Sequence, residues 1–170
     1  MDTFERRFVA ANRWLLIVLL AAMSLIVFAN VALRYLTSSS IEWAEEVARH
    51  MMIWLTITGA GLVLRYGGHI AVDNLQDALP APAAMAVRAV VAALLFALFV
   101  VMVWHGGSYV QRAMFQTTAA TQIAFGYIYA AMPLGGVLLI VHFLLVLRGY
   151  VTERRFAADA HFDATASASL

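Results

Sequence analysis

Cysteine is missing altogether from these 170 residues. That excludes disulfides, iron–sulfur clusters and thiol chemistry, and removes the thiolates on which structural zinc sites ordinarily rely. Lysine is missing too, so all 11 basic side chains are arginines. Charge is scarce, at 12% of residues, and nearly balanced, with 11 basic against 10 acidic side chains and a formal net charge of +1. No basic excess points to a nucleic-acid partner. No phosphate loop, nucleophile–base pair or metal-ligand spacing occurs, so the chain reads as a non-enzyme with no cofactor of its own.

What is present is apolar. At 64% hydrophobic residues the composition lies far from that of a water-soluble globular domain and indicates an integral membrane protein. Trp14 to Leu33 is interrupted only by Ser24 and Asn30, and its roughly 20 residues match a bilayer core of about 30 Å. A signal peptide is the competing reading. The apolar run is too long for that, and no A-x-A site follows, which favours a retained anchor.

Further apolar blocks predict an all-α polytopic membrane protein with four spans, at about 14–35, 41–64, 83–105 and 123–147. Gly106-Gly107 and the polar run from Gln116 to Gln122 read as the turn between the last two spans, and Gly135-Gly136 after Pro133 as a kink or close helix contact. Arg6, Arg7, Arg13, Arg65, Arg88, Arg148, Arg154 and Arg155 fall at one side, against Arg34, Arg49 and Arg112 at the other. The positive-inside rule then places both termini in the cytoplasm. Residues 1–13 form a cytoplasmic N-terminal segment, and 148–170 a small, polar tail expected to be disordered.

The second span carries charge where lipid penalises it. Ser39 followed by Glu42 has the pattern of a capping box, and acidic residues suit the positive end of a helix dipole. Met51 to Leu64 alone covers only about 21 Å, so the charged turns before it must complete the span or lie at the outer interface. At about 100° per residue, Glu42, Glu45, Glu46 and Arg49 share one arc that Ile53, Thr56 and Ala60 continue inward. Trp43, Val47 and Trp54 occupy a separate face suited to lipid. Glu45 and Arg49 are spaced for an i,i+4 pair, and Glu46 can reach Arg49 or His50. The charges are either solvated at the outer surface or turned towards a partner helix. The short apolar block favours the partner.

Beyond the second span, Gly67-Gly68 breaks the helix and Pro80 and Pro82 mark the start of the third. Between them Ile70, Val72, Leu75 and Leu79 alternate with Asp73, Asn74, Gln76 and Asp77, as in a short amphipathic cytoplasmic helix or an ordinary loop. Arg65 is placed to pair with Asp73.

Arg34-Tyr35, the run "EWAEEVAR" from Glu42 to Arg49, Trp54, Gly59 and Gly61, "RYGGHIAVD" from Arg65 to Asp73, and Pro133 resemble the small membrane subunit of tripartite ATP-independent periplasmic (TRAP) transporters. The resemblance covers about Arg13 to Leu147. It implies a four-helix subunit of the bacterial inner membrane that braces a large elevator-type membrane subunit, which itself carries the substrate and sodium sites. It also implies a periplasmic binding protein that delivers an organic anion. On that basis the partner-contact candidates are Arg34, Glu42, Glu45, Glu46, Arg49, Thr56, Ala60, Arg65, His69 and Asp73, with Arg34 a contact for the binding protein.

Two rival readings use the same residues. A self-contained dimeric proton-coupled carrier would use Glu45 or Glu46, although such a site should be a lone carboxylate nearer the midplane. A haem carrier would draw on His50, His105 or His142, whose depths leave one usable pair; a lone membrane histidine is more often a packing donor.

Overall fold

The computed structural model describes residues 3–67, 79–153 and 156–157. The expected amphipathic segment, with His69 and Asp73, lies outside them, as does nearly all of the tail. The described elements are helical: α1 (Thr3–Thr37), α2 (Ala44–Arg65), α3 (Ala81–Ala113), the short α4 (Phe125–Tyr129) and α5 (Ala131–Glu153). Among the described residues, four stretches are long and apolar enough to cross a membrane, the last combining α4 and α5. The protein is an all-α, multi-pass membrane protein.

Helix α1 starts well before the first apolar run, with Glu5 in its first turn and Arg34 in its last, each suited to the dipole at its end. The expected non-span segment 1–13 is therefore helical from Thr3 and continuous with the span. Helix α2 starts later than the capping-box pattern predicts. Its N-cap is Trp43 and no side chain caps it. Asn30 of α1 accepts the Ile41 amide at 2.7 Å, and Ala44 N–H bonds back to the Ile41 carbonyl at 3.1 Å. These bonds make residues 41–43 a turn, so Ser39 has no helix to cap. At the far end, Gly67 adopts φ +72°, the left-handed conformation that suits glycine, with Phe156 packed where a side chain would project.

Pro80 leads into α3, whose first turn holds Pro82, a position where the missing amide costs nothing. The helix runs on to Ala113, so Gly106 and Gly107 are helical rather than part of the turn. Gly106 serves contact instead: a Cβ there would stand 3.0 Å from Pro133 Cδ. Pro133 also accounts for the break between α4 and α5, since it lacks the amide that would bond the Tyr129 carbonyl.

The helices pack in the order α1, α2, α5, α3, with α4 at one end. Among the described residues α1 and α3 form no packing interface with each other, so the four spans make an open row rather than a closed bundle. Helix α5 reaches both neighbours through adjacent glycines. A Cβ on Gly135 would collide with Ile57 of α2, and one on Gly136 would lie 2.8 Å from Val103 of α3. Between α5 and α3 sits the apolar core, Ala92, Phe99, Leu139 and Phe143, with the Phe99 and Phe143 rings edge-on at 5.8 Å. Arg88 of α3 donates from Nε to the Val151 carbonyl at 2.9 Å, satisfying one of the free carbonyls at the end of α5.

Candidate functional site

Two polar regions stand out against this apolar frame, one buried between helices and one open at the end of the row opposite the termini.

The buried region lies on the terminal half of α1. Asn12 donates its side-chain amide to the Thr58 carbonyl of α2 at 3.3 Å and lies 3.0 Å from Nε2 of His142 on α5. The Asn12 amide nitrogen can only donate, so His142 Nε2 is the acceptor in this contact. His142 is fully buried, its ring 4.8 Å from that of Phe8. Gly61 makes room for it, since a Cβ there would lie 2.6 Å from the imidazole. One turn nearer the chain termini, Arg65 is 1% exposed and forms an ion pair with Glu5 of α1. Glu5 and Asn12, seven residues apart and so on one helical face, are the sequence signal for this seam. It was legible only as spacing.

The open region is a cleft of about 460 Å³ between the start of α2, the α3–α4 loop and α4. Its walls bring together Glu42, Glu45, Glu46, Arg49 and His50 with residues 118–120, Phe125 and Tyr129. The loop is a tight unit: Thr118 N–H bonds the Ile123 carbonyl at 2.9 Å, the Thr118 and Thr121 hydroxyls lie 2.8 Å apart, and Gln122 takes φ 56°. Glu46 holds this loop. Its carboxylate accepts the amides of Ala120 and Thr121 at 2.8 and 3.1 Å, and the Thr121 hydroxyl besides. That role could not be seen in the sequence, because the loop lies over seventy residues away.

The other predicted contact residues divide. Glu42, Glu45 and Arg49 are exposed, and among the described residues their side chains make no hydrogen bond or ion pair, so the i,i+4 pair of Glu45 with Arg49 does not form. Thr56 is exposed on the same face and donates to the Met52 carbonyl at 2.9 Å. Ala60 instead packs towards the apolar core, and Arg65 pairs with Glu5, while the expected partner Asp73 lies outside the described residues. Ala60 and Arg65 are turned inward because α2 sits between α1 and α5. Val47 and Trp54, expected on a lipid face, are half-buried for the same reason. Arg34 is exposed at the end of α1, 5.6 Å above the ring of Tyr35.

Comparison with known proteins adds an independent line. The C4-dicarboxylate TRAP transporter small permease protein DctQ of Vibrio cholerae is 37% identical over 70 residues, 41% of this chain and 30% of that protein. A Haemophilus influenzae relative is 44% identical over 66 residues, 39% of this chain and 41% of its own length, so the chain spans less than half of these two curated relatives. The match is longer for the sialic acid TRAP transporter small permease protein SiaQ of Vibrio cholerae, 24% identical over 72% of this chain and 70% of that protein. The sialic acid TRAP transporter permease protein SiaT of Haemophilus influenzae is also 24% identical, over 78% of this chain but only 22% of its own length. A family model described as the DctQ component of tripartite ATP-independent periplasmic transporters matches residues 23–152, from the middle of α1 to the end of α5. Since that match takes in well over half of the chain, including all of α2, α3 and α4 and all but the last residue of α5, the chain belongs to the DctQ component family of tripartite ATP-independent periplasmic transporters.

Proposed function

We propose that this chain is the small, static subunit of a sodium-coupled secondary transporter for organic anions, bracing a large membrane subunit that carries the substrate and ion sites. One observation carries the reading. A stretch similar to 78% of this chain makes up 22% of the longer SiaT permease, so there the corresponding helices are joined covalently to a much larger remainder. The open row of helices fits the same role, since a layer with two free faces suits bracing better than enclosing a transport path. Carboxylate-bearing substrates are suggested by the names of the C4-dicarboxylate and sialic acid relatives. Sodium coupling comes from the family resemblance and would reside in the large subunit.

In this reading both termini are cytoplasmic, supported by the arginine distribution. The cleft, the α3–α4 loop and Arg34 then face the periplasm, where a substrate-binding protein would dock. Affinity purification of the C-terminally tagged chain from mild detergent, followed by mass spectrometry, tests the proposal. A stoichiometric large polytopic partner is the expected outcome. A homodimer alone would overturn it.

A further inference from the structure

The exposed residues of α2 are Glu45, Arg49, Met52 and Thr56, with Glu42 in the preceding turn, and their spacing of three and four puts them on one face. Measured along the helix from Arg65, Thr56 lies about 13 Å and Arg49 about 24 Å away, both within a hydrocarbon core of about 30 Å. The exposed faces of the edge helices are apolar, with Leu25 and Phe28 on α1 and Leu94 and Leu98 on α3. Lipid suits those faces. It does not suit an unpaired arginine beside exposed carboxylates.

The charge on this face is also uneven. Glu46 is occupied by the loop, and Arg49 can offset only one of the two remaining carboxylates, Glu42 and Glu45. The cleft beside them has an aromatic wall, Phe125 and Tyr129, with rings nearly parallel at 5.8 Å. Carboxylates next to an aromatic wall recognise a cation, and a planar guanidinium both pairs with the acids and stacks on the rings.

We infer that the exposed face of α2 is the seam on which a transmembrane helix of the large subunit lies, and that this helix places a basic side chain, best an arginine, in the cleft between Glu42, Glu45 and the Phe125–Tyr129 wall. This rests on the small-subunit reading and adds the face and the charge of the partner. A soluble binding protein could reach the cleft but not Thr56, which is why the occupant is a membrane helix.

The absence of cysteine makes the test direct. Glu45→Cys, Met52→Cys and Thr56→Cys variants, each co-expressed with the cognate large subunit, are labelled with a photoactivatable maleimide in native membranes. The expected result is an adduct with the large subunit at all three positions. Co-purification should fall at least about tenfold in Glu42→Gln/Glu45→Gln, while Arg49→Gln, which enlarges the negative excess, keeps the yield at or above that of the unaltered chain. If the large subunit still co-purifies but these positions label only lipid or a second copy of this chain, the seam is elsewhere and the subunit reading stands. Equal losses from Glu42→Gln/Glu45→Gln and from Arg49→Gln would overturn the basic occupant. If no large subunit accompanies the unaltered chain, both readings fall.

Discussion

Asn12 spends both of its amide hydrogens on other helices, one on the Thr58 carbonyl and one on His142. Such bonds inside a membrane are worth on average about 0.6 kcal/mol and at most about 1.7 kcal/mol in double-mutant cycles. Asn12→Leu, His142→Leu and the double variant should therefore show a coupling energy within that range when unfolded in mixed micelles. Additivity to within about 0.3 kcal/mol would mean that the two side chains do not support one another. His142 entered the sequence reading as a possible haem ligand because its type and depth were visible, whereas its partner, on a helix 130 residues earlier, was not. That Glu42, Glu45 and Arg49 share one face was legible because helical spacing alone decides that, whereas their exposure within this chain was not. Which of the glutamates would be consumed within the chain depended on a loop fold that no local pattern encodes.

Helix α5 shows what spacing can and cannot reveal at the level of elements. Its glycine pair was visible as a place of close contact, yet not that Gly135 serves α2 while Gly136 serves α3. Gly135→Ala should lower stability by about 1–3 kcal/mol, because the added methyl meets Ile57, including its carbonyl at 3.1 Å. Gly107→Ala is the matched control. Nothing lies within 4 Å of its Cβ position, so the substitution should be neutral or gain up to about 1 kcal/mol of helix propensity. Thermal unfolding in detergent separates the two, and equal melting temperatures would contradict the packing. The loop gives a further test. Glu46→Gln weakens charge-assisted bonds to Ala120 and Thr121, so amide exchange there should rise about tenfold relative to the end of α3. Unchanged protection would show that the loop holds its shape without Glu46. The misplaced start of α2 has a plain cause: the capping pattern was local, and Asn30 of another helix competed for the same turn.

For the whole molecule, the number of spans was legible because hydropathy is a sum over many residues, while their neighbour order was not, since each helix is apolar on several faces. The proposed orientation rests on arginine counts and is open to direct measurement. In intact cells, a membrane-impermeant maleimide should label Thr121→Cys but not Ala81→Cys; the reverse pattern would invert the proposed topology. The packing order has one more consequence, for synthesis. A ribosome delivers α1, α2 and α3 before α5, yet α5 is the helix that lies between α2 and α3. Until it arrives, the inner faces of those two helices have no native neighbour, and Asn12 waits for a histidine still being translated. Helix α5 therefore completes the row from its middle and not from its edge. Its paired glycines, which leave both flanks slim, suit a helix that has to enter last.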